Sequence, residues 1–299
     1  MSSQTIHLFL NPIAGRGSAG RRRGRILELL HQAGLDVDLH LSQHAGDLEA
    51  QVMETLQAGA ERLIVAGGDG SIHEAVNGIF RSGIKAGLGV IPTGTGNDFA
   101  KACAIPLNWE HATSLLADRI AANENPRKID VGQFNDRFFA NGAGVGFDAK
   151  VTRVAQSIRI PMGDLVYLVA IFRTMLGGIV TPTLKITADD FQWEAPVTLA
   201  AISNGPWIGG MFHIAPMANN ADGTLELLIA KPVTRRRICS LLPKLINGTH
   251  VRENDILTRP VTSLQIRCSE AIPSHLDGEV QPLQSEFEIR VLPGALNLL

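Results

Sequence analysis

From the N-terminus to Ile120, short apolar runs alternate with segments whose apolar residues recur at helical spacing. "TIHLFLN", "DVDLHLS", "RLIVAG" and "GLGVIP" read as strands. "GRRRGRILELLHQAG", "AGDLEAQVMETLQAG" and "SIHEAVNGIFRSG" carry the helical period and run out at glycine. Such alternation predicts a parallel sheet covered by helices. Ligands of these sheets sit beyond the carboxyl ends of the strands. The glycine-rich stretches after "RLIVA" and "GLGVI" lie at that edge.

Beyond "NENPRKID" (Asn123 to Asp130) the pattern changes. "VGQFNDRFFANG", "TLKITADDFQWEAPVTLAAISNG", "GTLELLIAKP", "ILTRPVTSLQIRC" and "FEIRVLPG" are strand-like, with turn residues between them. Helical segments interrupt around Val151 to Leu176 and around Thr234 to Asn247, the second with a kink expected at Pro243. The expected division is an α/β domain over 1–130 and a β-rich domain over 131–285.

Composition narrows the class. The chain has 299 residues, 45% hydrophobic and 19% charged, which suits a folded protein with a sizeable core. Lys plus Arg number 27 against 29 for Asp plus Glu, so the strongly basic balance of a nucleic-acid binder is missing. Cys103, Cys239 and Cys268 are odd in number and lack a CxxC pair, which fits a reducing compartment rather than a disulfide or zinc framework. "MSSQTIHLFLNP" lacks the pattern of a secretory signal. The apolar window Leu165 to Val180 includes Arg173 and falls short of the roughly 20 residues of a membrane span. A cytoplasmic protein is expected.

The candidate chemistry lies in the turns. "NPIAGRGSAGRRR" follows the first strand and opens the first helix, so backbone amides would face the ligand edge, with Arg16, Arg21, Arg22, Arg23 and Arg25 around them. Either phosphate recognition or a solvated basic face accounts for these arginines. In "GGDGS", Gly67, Gly68 and Gly70 permit close approach of a ligand to the backbone. Asp69 or Ser71 could cap the following helix; a carboxylate among phosphate-binding amides is better explained by a metal ion or a ribose hydroxyl. "IPTGTGNDFAKA" repeats the arrangement, with Gly94, Gly96, Thr93, Thr95, Asn97 and Asp98. "NGAGVGFDAKV" departs from the dinucleotide fingerprint. "NNADGTLEL" offers Asp222 in a hairpin turn or a small oxygen-lined Mg²⁺ site. In "HLDGEV", Asp277 and Glu279 project to the same side if the segment is extended, as a base and its partner require.

In order and separation, "NPIAG", "GGDGSIHE", "PTGTGNDFA" and "LDGE" resemble the diacylglycerol-kinase-type catalytic domain family, with bacterial soluble lipid kinases nearest and sphingosine and ceramide kinases more distant. The resemblance covers nearly the whole chain. It implies an α/β nucleotide-binding domain of the NAD-kinase and phosphofructokinase type, completed by the C-terminal strand 286–299. It further implies a C-terminal β-sandwich domain, with the active site in the cleft between the two. The implied reaction is Mg²⁺-assisted transfer of the γ-phosphoryl group of ATP to a lipid hydroxyl. The implied nucleotide contacts are Asn11, Pro12, Gly15, Ser42, Gly67, Gly68, Asp69, Gly70, Ser71, Ile72, His73 and Thr95. Arg16, Gly94, Asn97 and Asp98 join them from the loop patterns. Glu279 is implied as proton acceptor beside Asp277, and Asn219, Asp222 and Thr224 as ligands of a second, structural Mg²⁺. Ser71 and His73 stand where relatives carry Thr and Asn.

The implied partner is a lipid at a membrane surface, met by peripheral and transient contact; a homodimer is compatible with the chain, and no nucleic acid is implied. "GDLVYLVAIFRTML" is the foremost apolar contributor to a lipid site, with a core helix as the competing reading. "TRRRI" (Thr234 to Ile238) could meet anionic headgroups or form a solvated face. The competing functions are an NAD-kinase-like kinase of a soluble acceptor and a nucleotide-binding regulator without catalysis.

Overall fold

The alternating N-terminal pattern becomes β1 (Ile6–Leu10), α1 (Ala14–Gln32), β2 (Val37–Leu41), α2 (Asp47–Gln57), β3 (Arg62–Gly67), α3 (Asp69–Ser82), β4 (Gly87–Pro92), α4 (Asp98–Ala102) and α5 (Trp109–Ala121). The computed structural model describes residues 5–158, 163 and 165–299. Its contacts divide the chain into one unit of Met1–Ile129 with Gly294–Leu299, and another of Asp130–Pro293.

In the first unit the strands lie in the order β2-β1-β3-β4, all parallel. The chain's last residues join β4 in parallel, with Asn297 opposite Gly87 and Leu298 opposite Leu88. One face of the sheet presents Leu8, Leu10, Ile64, Ala66 and Ile91 to Ile26 and Leu30 of α1 and to Leu116 and Ile120 of α5. Burial of both faces explains why "RLIVAG" and "GLGVIP" are continuous apolar runs.

The second unit contains most of β5 (Arg127–Phe134), then β6 (Arg137–Phe139), β7 (Gly142–Gly146), α6 (Phe147–Ser157), α7 (Leu165–Leu176), β8 (Thr183–Ala188), β9 (Phe191–Pro196) and β10 (Leu199–Ser203). These are followed by β11 (Leu225–Ala230), α8 (Arg235–Ile246), β12 (Ile256–Val261), β13 (Ser263–Ile272), β14 (Ser274–Leu276), β15 (Glu279–Val280) and β16 (Gln284–Leu298). One sheet runs β12-β11-β10-β7-β14-β15 and is antiparallel. A second antiparallel layer runs β9-β8-β13-β16. Val145, Ile202 and Leu227 from the first layer pack with Ile186, Ile266 and Phe287 from the second, which makes a sandwich core. Strict alternation of buried and exposed residues along β8 follows from having only one face on that core.

The expected helical segment Val151 to Leu176 is two helices, α6 and α7; its residues 159–162 and 164, including Asp164 of "GDLVYLVAIFRTML", lie outside the described residues. So do residues 1–4, on which part of the signal-peptide reading falls. Among the described residues no helix is long and apolar enough to cross a membrane.

Candidate active site

In the first unit, three loops at the carboxyl ends of β1, β3 and β4 touch through glycine. Gly15, Arg16 and Gly17 take left-handed φ values of 55°, 60° and 77° before α1 continues as regular helix. Arg16 is the informative member, because a non-glycine residue there is disfavoured and persists only where its surroundings impose it. A Cβ on Gly15 would stand 2.1 Å from the carbonyl oxygen of Thr93, so no other residue fits. A Cβ on Gly94 would stand 2.4 Å from the Cα of Gly68. The "GGDGS" and "TGTGN" loops therefore meet backbone to backbone.

Side chains then hold these loops in shape. Asn97, itself left-handed at φ 52°, accepts from Gly94 N and donates to Gly94 O, both at 3.0 Å. Asp69 Oδ1 accepts from Phe99 N at 3.0 Å, capping α4 from the neighbouring loop. Asn11 donates to Ser71 Oγ at 3.4 Å, and Ser42 N to Leu10 O at 3.1 Å. Glu74 accepts from Gly46 N and Leu48 N, both at 3.0 Å, tying the loop after Ser42 to α3. Thus Asn11, Pro12, Gly15, Arg16, Ser42, Gly67, Gly68, Asp69, Gly70, Ser71, Gly94, Thr95, Asn97 and Asp98 occupy adjoining loops or helix starts. Asp98 pairs with Lys101 at 3.1 Å. Ile72 and His73 are buried within α3, and Asn77 Nδ2 lies 3.4 Å from His73 Nε2 and donates to its carbonyl. The arginine group disperses: Arg25 pairs with Glu28, and Arg22 lies over the Trp109 ring. The N-terminus of α3 has no side-chain cap, and Thr93 Oγ1 is buried without a hydrogen-bond partner among the described residues. Both features leave polar capacity for an anionic ligand.

In the second unit the "LDGE" turn is built on a carboxylate. Asp277, at φ 49°, accepts from Ala140 N, Asn141 N and Gly142 N at 2.9, 2.8 and 2.9 Å. Its own amide donates to Gly142 O at 2.7 Å. Asp277 fastens the β14–β15 turn to the start of β7. Glu279, two residues on, is exposed on β15, with Gln156 Nε2 of α6 3.4 Å from its Oε2 and 3.0 Å from Gly278 O. Behind the turn, His275 is fully buried and its Nε2 lies 3.4 Å from Asp148 Oδ2. A Cβ on Gly144 would fall 1.8 Å from that carboxylate oxygen and 2.5 Å from the imidazole. Gly144 of "NGAGVG" therefore serves this close packing.

A cavity of about 130 Å³ opens beside the turn within the same unit. Phe147, Val151, Ile171, Phe212, Leu242 and Tyr167 line it, with Asp148 and His250 among its few polar groups. A Cβ on Gly278 would lie 3.5 Å from the Tyr167 hydroxyl, so the cavity wall abuts the "LDGE" turn. Burial pushes the His250 imidazole below its ordinary pKa, as it does that of His213, against which Trp207 stacks at 4.3 Å.

The 219–224 loop offers oxygen donors only. Asp222 Oδ1 accepts from the amide and hydroxyl of Thr224 at 2.9 and 2.8 Å, and Asn219 Oδ1 from Ala221 N at 3.2 Å. Asp130 Oδ2 accepts from Gly223 N at 2.7 Å. Burial, with a further push from the Asp222 charge, raises the Glu226 carboxyl above the usual range. A shaped turn, oxygen ligands and two neighbouring carboxylates fit a hard divalent cation.

A model of the diacylglycerol kinase catalytic domain matches residues 5–134, and one of the YegS C-terminal NAD kinase beta sandwich-like domain matches residues 142–299. A probable lipid kinase YegS-like of Pseudomonas aeruginosa is 32% identical over 269 residues, 89% of this chain and 85% of the relative. The chain belongs to the diacylglycerol kinase family of lipid kinases. A second member, the diacylglycerol kinase of Bacillus subtilis, is 30% identical over 275 residues, 91% of this chain and 88% of its own length. The crystal structure of a putative diacylglycerol kinase from Bacillus anthracis superposes with a TM-score of 0.81 at 25% identity, covering 100% of this chain and 97% of that one.

In this kinase-family fold, sequence reasoning missed Glu74, Gln156, Asp148 and His275. Glu74 stood inside the quoted "GGDGSIHE" and His275 directly before "LDGE", so adjacency was a signal. Gln156 carried none. Arg237 of "TRRRI" is bound at 2.6 Å to both Glu253 and Asp255, which favours the solvated-face reading for it.

Proposed function

We propose that the chain transfers the γ-phosphoryl group of ATP to the hydroxyl of a diacylglycerol-like lipid, with Glu279 as the proton acceptor. The observation that carries this reading is the apolar cavity whose Tyr167 wall abuts the "LDGE" turn. An apolar void of about 150 Å³ takes up a benzene-sized hydrocarbon, so this cavity suits a segment of an acyl chain. A soluble, charged acceptor would meet a mostly apolar lining there.

The glycine loops of the first unit supply backbone amides and the α3 N-terminus to the nucleotide phosphates. On the acceptor side, the lipid hydroxyl oxygen bonds to the γ-phosphorus, the bond to the β–γ bridging oxygen breaks, and ADP leaves. The hydroxyl proton passes to the Glu279 carboxylate. Asp277 is committed to three amides and so positions the turn. Asp222, with the carbonyls of Asn219 and Thr224, would hold an accompanying Mg²⁺, whose charge offsets that of the surrounding oxygens.

Leu165, Val169, Phe172 and Leu176 form an exposed apolar stripe on α7, the helix that also sends Tyr167 and Ile171 to the cavity. Peripheral contact of this stripe with a lipid surface supports extraction of the acceptor. The test is γ-labelled ATP with Mg²⁺ and mixed vesicles of diacylglycerol, monoacylglycerol, phosphatidylglycerol and sphingoid base. Label recovered in a lipid supports the reading. Label transferred only to soluble acceptors, or retained entirely in ATP, refutes it.

A further inference from the structure

Away from both constellations, His7, Asp38 and His40 meet on one face of the β1–β2 pair. His7 stands opposite Asp38 in the parallel register, and His40 follows two residues along β2, which returns it to the same face. His7 Nδ1, Asp38 Oδ2 and His40 Nε2 are 3.4, 3.2 and 3.1 Å apart, a nearly equilateral triangle. The His40 ring is stacked on Phe9, 4.7 Å between centroids and 16° from parallel, and Phe9 is fully buried. The ring is thus fixed by core packing rather than by the cluster.

Hydrogen bonds alone do not satisfy this triangle. Asp38 Oδ2 offers only lone pairs, so the three contacts depend on protons at the two nitrogens. If one nitrogen carries a proton, one of the three pairs is left with facing lone pairs. If both do, the two N–H groups oppose each other. A cation at the centre satisfies all three atoms together. Zinc ligated at about 2.0–2.2 Å in tetrahedral geometry separates its ligand atoms by about 3.3 Å, the spacing already present here. Two imidazoles and one carboxylate are the donor set of a borderline divalent transition metal, whereas Mg²⁺ takes oxygen ligands.

We propose that His7, Asp38 and His40 form a zinc-class metal site bracing the β1–β2 edge of the first unit, with a fourth position open to water. The brace acts on the strands that lead into Asn11 and Ser42, which the Ser42 N to Leu10 O bond already links.

The test uses the full chain, stripped with chelator and titrated with Zn²⁺ by calorimetry in excess Mg²⁺. The expected result is one equivalent of saturable Zn²⁺, with a rise in melting temperature. His40→Gln should lower the affinity by about 100-fold, since even a residue that only supports a ligand is worth about 10–100-fold. Asp38→Asn, at the most exposed of the three positions, should weaken binding while the circular dichroism spectrum stays unchanged. Co²⁺ in place of Zn²⁺ should give the visible absorption of a four-coordinate site in wild type and lose it in both variants. Equal Zn²⁺ affinity in folded variants places the ion elsewhere, for instance at the exposed Cys239, and overturns the proposal. So does the lack of saturable one-equivalent binding to wild type.

Discussion

Asp69 and Asp277 are both aspartates in glycine-rich turns, one in each unit, and the fold uses them to different extents. Asp69 accepts from the amide of Phe99 and links two neighbouring loops. Asp277 accepts three, from residues 140–142, and brings a distant strand to the turn that carries Glu279. Around Asp69 the loops also touch directly through Gly68 and Gly94, so the carboxylate adds to a contact that exists without it. Around Asp277 the strands β14 and β7 already pair, and the carboxylate gathers three further amides just beyond that ladder. A short polar residue in a turn can therefore join two loops that already touch or gather the amides at the start of a neighbouring strand.

The largest expected effect separates that fastening from the chemistry beside it. Glu279→Gln should lower turnover by about 10²–10⁴-fold, the usual worth of a general base, with melting temperature unchanged. Wild-type turnover in this variant would remove Glu279 from the reaction. Asp277→Ala should act on stability instead, costing about 2–4 kcal/mol in denaturant unfolding because three amides lose their acceptor. Asp277→Asn keeps the oxygen shared by Asn141 and Gly142 and tolerates the left-handed backbone, so about 1 kcal/mol is expected there. Equal losses for Ala and Asn would show that charge rather than amide capture holds the turn.

The counterpart in the first unit should be milder. Asp69→Ala removes a cap worth about 1 kcal/mol, and Asp69→Asn should restore most of it. A loss from Asp69→Ala as large as that from Asp277→Ala would break the comparison, since the glycine contact would then contribute little.

The smallest expected effect is a pH dependence of the second unit. Burial holds His213 and His250 below the ordinary histidine pKa of about 6.5, so the fold favours their neutral forms. Their contribution is complete above that value. It is lost as pH falls from there through the depressed folded values, because the unfolded chain then binds more protons. The melting temperature should fall on acidification from neutrality, and His250→Gln should flatten the slope; an unchanged slope would assign the dependence to other groups.

Much of the architecture was legible because its causes are local. The period of two in "TLKITA", the helical period of "SIHEAVNGIF" and the continuous apolar run of "RLIVAG" depend on neighbours within a few positions. The glycine loops were equally readable, since both a tight turn and a close backbone approach require the missing side chain. The roles of the acids inside those loops were not. Asp69 reads from sequence as a helix cap or as a metal or ribose ligand, and the Phe99 amide that it meets lies thirty residues along the chain.

By itself, then, the sequence determined the strand–helix order, the change of character near Asp130, and the glycine turns at the ends of β3 and β4. Only tertiary structure decided which groups those turns would meet. Asp277 finds its amides more than a hundred residues upstream, His275 finds Asp148 on another element, and Tyr167 of α7 comes to lie beside Gly278. His7 meets Asp38 and His40 only through the parallel register of β1 and β2. The physical reason is that turn chemistry and periodicity are properties of short segments. A hydrogen-bond partner or a metal ligand is chosen by strand register and core packing, which bring together residues that no local pattern relates.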